Sequence, residues 1–177
     1  RLVTTGIQNT IVGGLAGDAL TTSDFNVAMG YAALGAEQAG TRNVAIGYGA
    51  LTSQTRSTAA VTYNTGLGFQ TGYYNVTGTG NTYVGYNAGA GVSGNSQSGN
   101  TVVGALAFDI VTTGNNNTVV GNQAGDTITT GSNNTLVGHQ VQVSGGTGVQ
   151  QIAIGTGFSG GGNNTVRFGV PAGTATL

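Results

Sequence analysis

Asn117-Thr118-Val119-Val120-Gly121 is one copy of a five-residue phrase, Asn-Thr/Val-x-Val/Ile-Gly, that recurs along the whole 177-residue chain. Its ten copies end at Gly13, Gly30, Gly47, Gly68, Gly85, Gly104, Gly121, Gly138, Gly155 and Gly169. Six of the nine intervals between these glycines are 17 residues, and the other three are 21, 19 and 14. A fixed short period without helical spacing predicts a solenoid in which each repeat is one coil.

The predicted fold is all-β, a parallel β-solenoid of about ten coils, mostly of 17 residues. We expect the repeat solenoid to span residues 1–169 and residues 170–177 to form an exit segment. The additional residues of the long intervals fall in Thr52–Tyr63 and Gly91–Gly99. Both segments are polar turns, where an insertion leaves the ladder between coils uninterrupted.

Composition excludes several functional classes. The chain has no Cys, so disulfides and thiolate metal sites are not available. Charged residues make up 5% and the net charge is −1, so no electrostatic field attracts nucleic acid or an anionic membrane. No apolar run reaches the length of a membrane span, which predicts no membrane insertion by this segment. His139 is the only His and stands without a catalytic constellation, so we expect no enzyme activity, no catalytic residue, no cofactor and no metal.

Each position of the phrase carries its own expectation. The final Gly is predicted to turn a corner where a Cβ does not fit, and the Asn to form a stacked amide ladder. The residue before the Gly and the residue two earlier are expected to line the inside of the coil. The middle residue is then expected to point outward, and it is uncharged in every copy.

An outward apolar stripe predicts a second buried surface, for which a homotrimer is the preferred arrangement. Packing of the stripe against another part of the same coil is the alternative. The oligomer-interface candidates are Ile11, Ala28, Ala45, Tyr83, Val102, Val119, Leu136 and Ala153.

Four aromatic residues follow the corner Gly in consecutive coils: Tyr31, Tyr48, Phe69 and Tyr86. Stacked about 4.8 Å apart, they would form an aromatic ladder. Such a ladder is a receptor-binding candidate, because ring faces can stack on sugars. It can equally serve packing alone, against itself or a neighbouring chain.

Asp18, Asp109 and Asp126 share another repeat position, five residues after the Gly. Asp109 and Asp126 belong to adjacent coils, where a shared cation could relieve their repulsion. Two solvated aspartates in turns are the favoured interpretation.

Asn26-Val-Ala-Met-Gly30, Asn43-Val-Ala-Ile-Gly47 and Gln151-Ile-Ala-Ile-Gly155 resemble the phrase of YadA-like heads in trimeric autotransporter adhesins. The resemblance implies a left-handed parallel β-roll of three chains that binds host matrix or cell surfaces. Asn117–Gly125 also resembles repeats of phage tail fibres. YadA-like coils are typically shorter than the 17 residues found here, so the resemblance indicates architecture more strongly than handedness.

The sequence therefore predicts an extracellular structural and binding segment of a trimeric fibre, on a virion tail fibre or a bacterial cell surface. Its expected partners are two further copies of the chain and a cell-surface glycan or protein receptor. A self-assembling extracellular filament is one alternative. An ice-binding β-solenoid is another, based on the pairs Thr21-Thr22, Thr112-Thr113 and Thr129-Thr130.

Overall fold

The computed structural model describes residues 5–169 as an all-β structure of short strands, and this part of the chain contains no helix. The strands are β1 (Thr10–Val12), β2 (Val27–Met29), β3 (Gly40–Thr41), β4 (Val44–Ile46), β5 (Ala60–Val61), β6 (Thr65–Leu67), β7 (Thr82–Val84), β8 (Thr101–Val103), β9 (Thr118–Val120), β10 (Thr135–Val137), β11 (Ile152–Gly155) and β12 (Val166–Gly169). Each strand of the recurrent phrase begins directly after its Asn, or after Gln151 in β11, except that Thr165 separates Asn164 from β12.

Ten of these strands form one parallel sheet in the order β1-β2-β4-β6-β7-β8-β9-β10-β11-β12. The register places each phrase on the next, so that Thr118 lies between Thr101 and Thr135. The predicted parallel β-solenoid is confirmed. The number of coils is corrected to about nine turns of roughly 17 residues, because ten strands enclose nine intervals. The predicted exit segment, 170–177, lies outside the described residues.

The corner glycine is required for close approach of adjacent coils. Gly121 has a φ of 137°, and a Cβ placed there would lie 2.3 Å from the carbonyl oxygen of Gly138 in the next coil. A contact this short excludes every side chain, and the positive φ alone disfavours them. The predicted role of the corner Gly is confirmed.

The Asn of the phrase forms the predicted amide ladder inside the coil. The Asn117 backbone N–H and its Nδ2 both donate to Asn100 Oδ1, at 2.9 and 3.1 Å. Asn117 Nδ2 also donates to the carbonyl oxygen of Gly131, at 2.9 Å, and so holds the turn that ends its own coil. The pattern satisfies polar groups that are almost completely buried, as burial requires.

The middle residue of the phrase points into the coil, so the predicted assignment of strand faces is wrong. Ala28, Ala45, Tyr83, Val102, Val119, Leu136 and Ala153 have no exposed surface, and Ile11 packs against the same core. They cannot form an interface between chains. The reason is the period of two: the buried Asn lies two residues before the middle residue, so both face the interior. The residues on either side of the middle one face outward.

Side-chain sizes compensate across this thin core. Small Ala28 and Ala45 share their coils with fully buried Leu34 and Leu51. Tyr83 instead fills the space left by glycines: a Cβ on Gly72 or Gly89 would come within 2.7 and 2.2 Å of its ring. The core is therefore close-packed although neither the middle residue of the phrase nor the turn residue that packs against it is the same in every coil.

The four-residue insertion brings a second, two-stranded sheet and a buried polar network. β3 and β5 pair in parallel beside the main sheet. Glu37 is fully buried, and its Oε1 accepts the backbone N–H groups of residues 38, 39, 40 and 56 at 2.7–3.1 Å. Its Oε2 accepts Gln54 Nε2 at 2.8 Å, and Gln54 Oε1 accepts Asn64 Nδ2. The network connects the inserted turn to the Asn ladder.

Candidate functional site

The aromatic residues after the corner Gly form a continuous stack on the outside of four coils. Ring centroids of Tyr31 and Tyr48 are 5.4 Å apart, those of Tyr48 and Phe69 5.0 Å, and those of Phe69 and Tyr86 5.5 Å. Interplanar angles are 16°, 9° and 20°. About half of each ring residue is exposed. The predicted ladder geometry is confirmed, and its receptor-binding role stays a prediction.

Stacking limits what this ladder can bind. Each inner ring uses its faces on its neighbours, so the row presents ring edges and Tyr hydroxyls to solvent. The row ends where Gly14 and Ala105 take the repeat position of the rings. A sugar that stacks on ring faces therefore has no site along the middle of the ladder. Contact through edges and hydroxyls remains open to a partner.

The outward side chains of the ten-stranded sheet form two columns, which we call the outer sheet face. The first column contains the residue three positions before each corner Gly: Thr10, Val27, Val44, Thr65, Thr82, Thr101, Thr118, Thr135, Ile152 and Val166. The second column is Val12, Met29, Ile46, Leu67, Val84, Val103, Val120, Val137, Ile154 and Phe168. Neither column contains a charge, and six members of the second column are 37–54% exposed.

A cleft of about 260 Å³ opens beside the two-residue insertion. It is lined by Gln70, Tyr73, Tyr74, Asn87 and Asp109, together with Ala90 and Gly91. The Tyr73 and Tyr74 rings meet edge to face, with centroids 4.7 Å apart. Sequence analysis did not identify this cleft, because its residues come from three consecutive coils.

Asp109 is half-buried at this cleft. Burial raises the pKa of its carboxyl above the ordinary value, and the nearby charge of Asp126 raises it further. The hydrogen bond from the backbone N–H of Asp109 opposes both effects. The two aspartates are thus electrostatic neighbours, as predicted for adjacent coils. Among residues 5–169 no three His, Cys, Asp or Glu side chains are grouped to hold a metal ion.

A second cleft, of about 270 Å³, lies where β5 of the four-residue insertion meets the coil before it. Asp24, Phe25 and Arg42 line it, opposite Ala59–Val61. The Arg42 guanidinium lies 5.2 Å from the Phe25 ring centroid, which is a cation–π contact. The lining of this cleft therefore combines an acidic residue, Asp24, and a basic residue, Arg42, with the apolar residues 59–61.

The first Thr of each pair considered for ice binding donates its hydroxyl to the next coil. Thr112 Oγ1 donates to the carbonyl oxygen of Thr129 at 3.0 Å, and Thr129 Oγ1 to that of Gly146 at 3.2 Å. Thr21 Oγ1 donates likewise to Gln38, at 3.1 Å. These hydroxyls serve the ladder between coils and do not form an unbroken outward array.

His139 and Arg167 are the two other residues whose surroundings bear on the sequence predictions. Thr156 and Gly157 both donate to the backbone carbonyl of His139, and in the described part of the chain no catalytic group accompanies its ring. The register with Ala153 places Arg167 at the middle position in β12, so the expectation of an uncharged residue there is wrong for the last copy. Arg167 is exposed, with its Cζ 5.5 Å from the Phe158 ring centroid. In the same residues, 5–169, no helix has the length and apolarity needed to cross a membrane.

Comparison with known proteins adds no relative: no family model, no curated protein and no solved structure matches this chain.

Proposed function

We propose that this solenoid is a structural and binding segment of a homotrimeric fibre, in which three copies pack through their outer sheet faces. The observation that carries the proposal is the second column, which is apolar in all ten strands and partly exposed along the sheet. Ten strands at ~4.8 Å make a stripe about 43 Å long. A continuous apolar stripe of that length is typical of an association site.

The arrangement is compatible with the charge and composition of the chain. Both columns lack charged side chains, so packing identical faces together buries no unpaired charge. Identical chains ordinarily assemble with closed rotational symmetry, and three identical faces around one axis are such an arrangement. The resemblance of Asn43–Gly47 to the phrase of trimeric autotransporter adhesins supports three copies over two.

Such a fibre would lie outside the cell, as part of a phage tail fibre or a bacterial surface adhesin, and would attach to a host or cell surface. The aromatic ladder and the two clefts lie outside the strand segments of the outer sheet face. They are the candidate contacts for a glycan or protein receptor. Loops and turns on a rigid scaffold are where binding residues concentrate.

The mass of the native particle in solution tests the assembly. Light scattering should give three times the chain mass of 17.4 kDa. Val103→Lys, in the second column, should convert the trimer to monomer because three buried charges would meet at the axis. Thr113→Lys, an exposed position in the same coil, is the control and should leave the mass unchanged.

Two outcomes would overturn the arrangement. A monomeric wild-type chain would remove the basis for association through the outer sheet face. A dimer would overturn the three-fold packing. Circular dichroism of both Lys variants shows whether each coil still folds, which separates dissociation from unfolding.

Ice binding is a second candidate on the same face, because Thr65, Thr82, Thr101, Thr118 and Thr135 make an unbroken Thr row in five consecutive strands. The interruption of this column by Val27, Val44 and Ile152 counts against it. A face buried in a trimer cannot also bind ice. Thermal hysteresis by a monomeric chain would favour the ice-binding candidate, whereas its absence from a trimer would favour the fibre.

A further inference from the structure

The cleft beside the two-residue insertion is a gap in a column of side chains. Tyr73, Ala90 and Asp109 each lie five residues after a corner Gly, in three consecutive coils. Tyr73 and Asp109 are large or charged, whereas Ala90 between them contributes only a methyl group and forms the floor. The cleft is therefore one coil high, with an aromatic wall on one side and a carboxyl group on the other.

The aromatic wall is held rigidly by its neighbours. The Tyr73 ring packs on Gly49 of the preceding coil, where a Cβ would lie only 3.1 Å from its Cε2. Tyr74 meets Tyr73 edge to face and is 38% exposed. Ordering this wall before binding lowers the entropy that a ligand must overcome.

The polar groups that line the cleft can both accept and donate hydrogen bonds. The Asp109 carboxyl group supplies acceptor oxygens, whereas the Tyr73 and Tyr74 hydroxyls and the Gln70 amide can donate as well as accept. A ligand that carries several hydroxyl groups and one apolar face matches both this lining and the Tyr wall.

We propose that this cleft binds one neutral pyranose ring of a glycan. An apolar face of the sugar would pack on the Tyr wall, and its hydroxyls would donate to the Asp109 carboxylate. The volume of about 260 Å³ lies just below the ~300–1,000 Å³ of pockets for larger ligands, so it fits a single ring. Acidic sugars are disfavoured because Asp109 and Asp126 would repel them.

The cleft is formed by one chain, so sugar binding does not require the trimer. Only the biological role of that binding rests on the proposed attachment function. The ligand chemistry of the cleft also differs from that of the aromatic ladder, whose ring faces are occupied by one another. The two sites are thus separable by substitution.

Saturation-transfer difference NMR on the native full chain tests this site, with methyl glucoside, galactoside, mannoside and N-acetylglucosaminide as probes. Glucuronate and choline serve as the anionic and cationic counterparts. At least one neutral pyranoside should bind. Tyr74→Ala and Asp109→Asn should each weaken it about tenfold or more, from lost ring packing and a lost charged acceptor.

Tyr63→Ala is the matched control, since Tyr63 is an exposed Tyr outside the cleft and should leave binding unchanged. No signal from any neutral pyranoside, a preference for glucuronate or choline, or full binding by Tyr74→Ala would each overturn the proposal. Light scattering on the same samples separates the two hypotheses. A trimer without sugar binding contradicts only the cleft, whereas a monomer that binds sugar contradicts only the fibre arrangement.

Discussion

The coils between Gly30 and Gly104 differ from those between Gly104 and Gly155, although both carry the same phrase. The first region has intervals of 17, 21, 17 and 19 residues, and it contains both insertions and the whole aromatic ladder. The second region has three intervals of 17 residues. The Asn ladder and the parallel register run through both regions without a break.

The comparison shows that stability and binding features depend on different parts of the repeat. Hydrogen bonds between coils come from the backbone and the Asn, which are constant, so they tolerate variation elsewhere. The cleft beside the two-residue insertion needs variation, because it forms where neighbouring coils differ, as Ala90 differs from Tyr73 and Asp109. We call the first region the variable region and the second the regular region.

Truncating the core should separate the two regions most strongly. Tyr83→Ala, in the variable region, should cost about 3–5 kcal/mol of unfolding free energy, as for other large buried aromatics. Gly72 and Gly89 lie against the Tyr83 ring, and Gly66 is its register partner in the adjacent strand, so none of them has a side chain that could fill the cavity. Val119→Ala, at the same phrase position in the regular region, should cost about 1–2 kcal/mol.

Urea denaturation of both variants at one protein concentration measures this difference, since assembly makes stability depend on concentration. Equal losses would contradict the idea that the core of the variable region depends on particular residue combinations. They would also show that the coil collapses around a missing ring.

Much of the fold could be predicted because the constant positions carry their own physical reasons. The period, the corner Gly and the Asn ladder all follow from repeated residues such as Asn117 and Gly121. The strand faces could not be assigned from Thr118-Val119-Val120 alone, because a three-residue strand with apolar residues on both faces has no polar–apolar alternation to read. The deciding residue was Asn117: a buried ladder places Val119, two residues later, inside.

The candidate sites were predictable only in part, for a different reason. The aromatic ladder follows from a single repeat position counted from Gly30, Gly47, Gly68 and Gly85. The cleft requires residues from three coils, Tyr74, Asn87 and Asp109, whose alignment depends on where each insertion falls. Size compensation between Tyr83 and distant glycines likewise became visible only with the packing in three dimensions.

Neutralising Glu37 should have the next largest effect, again confined to the variable region. Glu37→Gln keeps the shape but removes charge-assisted bonds to four backbone N–H groups, and it brings an NH₂ group near Gln54 Nε2. We expect a loss of about 2–3 kcal/mol at neutral pH, the upper range for hydrogen bonds to charged groups.

Asp24→Asn is the control, since Asp24 Oδ1 accepts one exposed backbone N–H, from Ile7, at 2.7 Å. Its loss should stay below about 1 kcal/mol, because exposed hydrogen bonds contribute little. Similar denaturation midpoints for Glu37→Gln and wild type would show that the inserted turn does not depend on the buried carboxylate.

The smallest predicted effect is a pH dependence at the boundary between the two regions, where Asp109 follows Gly104. Because the pKa of Asp109 is raised in the folded chain, mainly by burial and then by Asp126, the folded state holds this proton more tightly than the unfolded state. Stability from this group is fully present below the unfolded pKa and is lost as pH rises through the folded pKa.

Asp109→Asn should therefore remove a modest decrease in melting temperature over that acidic window. Asp126→Asn should only reduce the decrease, because burial, the larger cause, persists. If the decrease in melting temperature seen in the wild type survives unchanged in Asp109→Asn, the pH dependence belongs to another group and not to the boundary between the two regions.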